Sequence, residues 1–83
     1  MATRIRLKRM GAKGRPFYRI DVFDGHAARD GKSLETVGTY DPLAEREQDK
    51  VVLKRGRVIH WIDRGARPTE TVASILKKNG IHV

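Results

Sequence analysis

The chain has no cysteine, so neither a disulfide nor a thiolate-bound metal can brace it, a composition that suits a reducing compartment. Its only serines are Ser33 and Ser74, and neither has the base and orienting acid that a nucleophilic site requires. The three histidines, His26, His60 and His82, are scattered without zinc-ligand spacing. No apolar run approaches the ~18 residues of a membrane-spanning helix, and the N-terminal stretch lacks a signal-peptide core of about 7–15 apolar residues. Membrane insertion and the common enzyme chemistries are therefore not expected, and neither a repeat nor a low-complexity tract is present. Acidic residues are missing from the first twenty positions; Asp21 is the first.

What fills that acid-free stretch is cationic: Arg4, Arg6, Lys8, Arg9, Lys13, Arg15 and Arg19. Over the 83 residues, 18 Lys and Arg stand against 10 Asp and Glu, a formal charge of +8, which points to a polyanionic partner. The length predicts one small domain. A chain this short buries only about 60% of its unfolded surface, leaving a thin core that a large partner stabilises by binding the folded form alone.

From Arg4 to Lys8, cations alternate with Ile5 and Leu7, the two-residue period of a strand with one apolar face and one positive face. "FYRIDVFD" repeats the period through Tyr18, Ile20 and Val22, and the intervening "GAKGRP" predicts a hairpin with a basic tip. A loop, "GHAARDGKS", leads to a third strand, "LETVGTY", stopped by Asp41 and Pro42. The charged stretch "LAEREQDK" reads as a solvated loop and Val51–Leu53 as a fourth strand. Val58, Ile59, Trp61 and Ile62 then recur at helical spacing, ending near Gly65, with Pro68 separating this helix from the next. Thr69 is the expected N-cap of that last helix, with Glu70 in its first turn, Val72, Ile75 and Leu76 as its buried stripe, and Ile81 folding back past Gly80 onto Leu76. Strands followed by helices predict an α+β fold: a small, mostly antiparallel sheet of about four strands covered on one face by two C-terminal helices.

Two motifs invite a functional reading. "GKS" at Gly31–Ser33 lacks the P-loop spacing from Gly25 and precedes a strand rather than a helix, so it reads as loop. "GAKG" matches a backbone-clamping GxxG, but joins strands; its glycines Gly11 and Gly14 still permit close approach to a phosphate beside Lys13 and Arg15. Trp61 lies in an apolar helical stripe and reads as core rather than as a base-stacking platform, whereas Tyr18 and Tyr40 can bury their rings and offer a hydroxyl outward. The carboxylates Asp41, Glu45, Glu47 and Asp49 alternate with Arg46 and Lys50 as in a solvated turn.

In order and spacing, "IRLKRMGAKGRPFYRI", "RDGKSLETVGTYDP" and "WIDRGARPTETVASILKKNG" resemble the segments of bacterial small-subunit ribosomal protein number sixteen, over nearly the whole chain. The resemblance implies an α+β protein that binds and orders small-subunit ribosomal RNA during assembly, cytoplasmic, monomeric within the ribonucleoprotein, beside neighbouring small-subunit proteins. It implies no cofactor, membrane, small-molecule substrate or catalysis. Arg6, Arg9, Lys13, Pro16 and Tyr18 match its hairpin motif, Arg29 and Gly31 its following loop, and Gly38, Tyr40 and Pro42 its third strand. The chain departs from it at Lys8, where a small residue is common, and at Gly25 and His26, which replace Ser and Arg. Lys54 and Gly56 stand where acidic residues usually start the first helix, so that cap is weaker. The candidate RNA-binding set is Arg4, Arg6, Lys8, Arg9, Gly11, Lys13, Gly14, Arg15, Tyr18, Arg29 and Lys32. A general nucleic-acid binder and a metal-dependent nuclease acting through carboxylates such as Asp41 or Asp49 are the alternatives. Sequence-specific DNA binding would call for a polar recognition helix, whereas both helices here have strong apolar faces, and no spacing favours the nuclease.

Overall fold

The computed structural model of the chain describes residues 3–25 and 32–82. Strands β1 (Arg4–Met10) and β2 (Phe17–Phe23) form the expected antiparallel hairpin, with Ile5 opposite Val22 and Leu7 opposite Ile20. Strand β3 (Glu35–Tyr40) pairs antiparallel with β2, and β4 (Val51–Leu53) with β3. A bulge sets Val37 and Gly38 together against Ile20, which lets the fully buried Val37 join the core although Glu35, Gly38 and Tyr40 also hold pairing positions.

Among the described residues the sheet has five strands where about four are expected, in the order β4-β3-β2-β1-β5. The fifth, β5 (Arg67–Pro68), runs parallel to β1. The sequence places Pro68 only as a separator, because proline cannot donate to a ladder. Here the amides on either side donate instead, Arg67 N to Thr3 O at 2.8 Å and Thr69 N to Ile5 O at 3.0 Å, and the edge position tolerates the gap between them. The supposed loop 43–50 also contains a single helical turn, α1 (Glu47–Lys50), supported by Arg46–Asp49 and Glu47–Lys50 ion pairs at i,i+3 spacing.

Helices α2 (Arg55–Asp63) and α3 (Glu70–Lys78) cover one face of the sheet. Ile5, Ile20, Val22 and Val37 from the strands meet Val58, Val72, Ile75 and Leu76 from the helices, with Ala66 and Ile81 closing the cluster. Each Val, Ile or Leu among them contributes about 1.5–3 kcal/mol when fully buried. Ile59 does not belong there: the inward stripe of α2 is Val58, Trp61 and Ile62, which leaves Ile59 46% exposed on the opposite side. Thr69 caps α3 through Val72 N to Oγ1 at 3.3 Å, while Lys54 offers α2 no side-chain cap. Helix α3 ends in a Schellman motif: Gly80 takes φ +84°, Ile81 N bonds Leu76 O at 2.8 Å, and the Ile81 side chain is buried. Arg55 Nη1 donates to Asn79 O at 2.7 Å, tying the start of α2 to the end of α3.

Candidate nucleic-acid interface

With Ile5 and Leu7 turned toward the helices, the pleat sends Arg4, Arg6 and Lys8 to the other face of the sheet. Their register partners on β2 are Phe23, Asp21 and Arg19, so Arg19 joins the same surface directly opposite Lys8. The row continues through Thr39 and Val52, the latter 59% exposed, and none of the described helices lies on this side. The result is a partly covered face, with Phe23 and Asp21 buried, Arg6, Lys8 and Arg19 half-buried and Arg4 exposed, cationic along the β1–β2 ribbon and neutral toward β4. Between Arg4 and Met10 it extends for about 20 Å at the usual rise per strand residue.

Two groups hold this face in shape. The Arg6 guanidinium carbon lies 4.1 Å above the centre of the Phe23 ring, a cation–π contact over a side chain only 2% exposed. Asp21 is fully buried beside Arg6 and Arg19; Arg19 Nη2 approaches its Oδ2 at 3.3 Å, yet neither carboxylate oxygen has a hydrogen-bond partner. In the sequence Asp21 marks only the end of the acid-free stretch. The sole hint of its role is a carboxylate at a strand position facing away from the core, between cations.

The remaining candidates divide among three places. Arg9 falls on the opposite side of the pleat, in register with Tyr18 and through it with Tyr40, whose rings stack with centroids 5.9 Å apart. Gly11, Lys13, Gly14 and Arg15 form the exposed tip. Gly11 has φ +85°, and a Cβ there would stand 2.7 Å from Arg15 O, so this position requires glycine. Arg15 pairs with Asp41 in a fork of 2.8 and 3.0 Å, a partnership invisible in a sequence that separates them by 26 positions. Lys32 is exposed at the other end of the sheet, before β3. Arg29 lies outside the described residues.

Elsewhere carboxylates pair three of the cations: Arg57 with Glu35, Arg46 with Asp49 and Lys50 with Glu47. Hydrogen bonding to Arg57, reinforced by Trp61 Nε1, holds the Glu35 carboxyl down at about 2. Among the described residues, Arg4, Lys8, Arg9 and Lys13 have no such partner. Lys54, Arg55, Arg64, Arg67, Lys77 and Lys78 also lack one, so what distinguishes β1 and its tip is the run of cations with no acidic residue before Asp21. Among the described residues no helix is long and apolar enough to cross a membrane.

Fold and charge together define a small α+β protein with a cationic sheet face. A family model described as Ribosomal protein S16 matches residues 9–69, most of the chain. The chain belongs to that family, a family of small-subunit ribosomal proteins, and membership implies association with ribosomal RNA and other ribosomal proteins.

Proposed function

We propose that this protein binds small-subunit ribosomal RNA and orders it during assembly, as a single RNA-binding domain spanning the chain, monomeric within the ribonucleoprotein and resident in the cytoplasm. Its role is structural rather than catalytic: cations neutralise phosphates where RNA segments pack together. The observation that carries this reading is the density of cations on one rigid ribbon, where no acidic residue precedes Asp21 and Arg4, Lys8, Arg9 and Lys13 have no carboxylate partner among the described residues. Arg offers a fork for two phosphate oxygens and Lys13 a point charge beside a glycine-permitted close approach. Arg6 and Arg19 extend the same surface, Tyr18 offers its hydroxyl at the margin, Lys32 serves the far end, and Arg29 is a further candidate.

The test compares affinity for small-subunit ribosomal RNA, an unrelated structured RNA and duplex DNA at matched salt, with and without magnesium. Preference for the ribosomal RNA is expected; equal binding to all three would refute the assignment. Replacing Arg4, Lys8, Arg9 and Lys13 with Gln should flatten the plot of log affinity against log salt by about 3, at roughly 0.7–0.9 for each phosphate that is no longer neutralised. A folded quadruple variant with the parent's slope would move the RNA surface elsewhere.

A further inference from the structure

We propose that Arg15 and Asp41 form a latch that fixes the β1–β2 tip against the end of β3, so that Arg15 positions the tip for RNA and does not itself neutralise a phosphate. This inference rests on the RNA-binding reading above and assigns one of its cations a different task.

The geometry is that of a fitted joint. Arg15 Nη1 and Nη2 donate to Asp41 Oδ1 and Oδ2 at 2.8 and 3.0 Å, the parallel two-bond arrangement that gives an arginine–carboxylate pair both strength and direction. Asp41 is a firm anchor. Its amide donates to Lys50 O at 2.7 Å, immediately before β4, and its Oδ1 also accepts from Leu43 N at 3.1 Å. The arginine's donors and the Leu43 amide keep the carboxylate charged, depressing its pKa, while the carboxylate raises that of Arg15.

The tip needs such an anchor. Residues 11–15 are all exposed, and the turn's own backbone tie is Arg15 N to Ala12 O at 3.1 Å. An exposed loop held only by its own turn opens readily. The Arg15–Asp41 fork connects it across the sheet to β3, and Lys13 lies between that fork and Gly11. For Arg15 to take a phosphate it would exchange one charged fork for another and leave the Asp41 carboxylate facing the RNA. Lys13 meets no such obstacle, since no described carboxylate pairs with it.

The experiment measures binding of the full-length chain to small-subunit ribosomal RNA over a salt series, for the parent, Asp41→Asn, Arg15→Gln, the double variant and Lys13→Gln. Amide exchange of the RNA-free proteins is followed at Ala12–Arg15. Asp41→Asn removes a negative charge from a nucleic-acid binder, which on charge alone should tighten binding. The latch predicts the reverse: affinity about three- to tenfold weaker, the scale of losing the pre-ordering of one or two side chains, with the parent's salt slope. Arg15→Gln should do the same, and the double variant should be no worse than either single one. Lys13→Gln alone should lower the slope, by about 0.7–0.9. Tip amides should exchange faster in Asp41→Asn and in Arg15→Gln. Tighter binding by Asp41→Asn, a slope in Arg15→Gln reduced as much as in Lys13→Gln, or unaltered exchange at the tip would each overturn the proposal. The exchange measurement involves no RNA, so the latch is decided even if the parent shows no preference for ribosomal RNA, a result that would count against the RNA-binding reading alone.

Discussion

Acid should loosen the joint between β3 and α2 before it disturbs the rest of the core. Glu35 receives Arg57 Nε on Oε2 at 2.7 Å, and Arg57 Nη2 and Trp61 Nε1 on Oε1 at 2.6 and 3.1 Å. These donors favour the charged carboxylate, with Arg57 the largest influence, and hold its pKa at about 2. Because the folded value lies below the unfolded one, the contribution is fully present above about pH 4.5 and is lost as pH falls toward 2. At about 1.4 kcal/mol per unit the shift would be worth about 3 kcal/mol unscreened. The Arg57 side chain is 45% exposed, and exposed pairs deliver far less, so about 1–2 kcal/mol is the working figure. Urea unfolding of the parent and of Glu35→Gln at pH 7 and pH 3 measures it. Glu35→Gln should lose about 1–2 kcal/mol at pH 7, near 4–8 °C in Tm per kcal/mol for a domain of this size, and the gap to the parent should narrow at pH 3. If the gap is the same at both pH values, the carboxylate's charge is not what holds α2 to the sheet.

Arg19→Met should be more damaging than its half-exposed position suggests, by about 3 kcal/mol in urea unfolding, because it leaves the buried Asp21 carboxylate without its ion-pair partner. Adding Asp21→Leu to it should recover most of that loss, and a single variant within 0.5 kcal/mol of the parent, on the order of an ordinary surface change, would contradict the argument. Gly11→Ala should cost about 1–2 kcal/mol from the left-handed backbone alone, and further from the contact with Arg15 O. A melting temperature equal to the parent's would show that the tip adjusts freely.

Local patterns in the chain were legible wherever one segment carried its own signal. The alternation of Arg4 to Lys8, the Thr69 cap and the Gly80–Ile81 ending each depend on neighbours within a few positions, and each is found as expected. What escaped the sequence depends on partners far along the chain. Strand β5 exists only because residues 67–68 come to lie beside β1, and no two-residue segment containing proline announces a strand. Ile59 looks like core because it is apolar, but α2 buries Val58 and only half-buries Trp61 and Ile62, and the exposed remainder is set by the orientation of the helix on the sheet. In the candidate interface, the cations were countable while their availability was not. The Arg15–Asp41, Arg57–Glu35 and Arg19–Asp21 pairs sort bound charge from unbound, and the first two cross more than twenty positions.

The most instructive departure from local rules is the pairing of Lys8 with Arg19. Like charges directly opposite on adjacent strands oppose the pairing, yet here they stand in register, with Arg6 and Arg4 on the same face. A sheet selected for stability alone would place a carboxylate or a threonine at one of these positions. The carboxylate at the neighbouring register position, Asp21, is instead buried among the cations, where it offsets part of the repulsion without presenting negative charge to solvent. Buried there, it can hold the arginines in place without repelling an incoming polyanion. The remaining repulsion is a cost of the unbound protein alone. On the RNA-binding reading, phosphates arriving at Arg4, Lys8 and Lys13 remove it, so the folded ribbon gains stability from its partner, by about 2.7 kcal/mol when the RNA stands at a hundred times its Kd. A thin core and a crowded cationic face then share one explanation: the protein's stability is completed by what it binds.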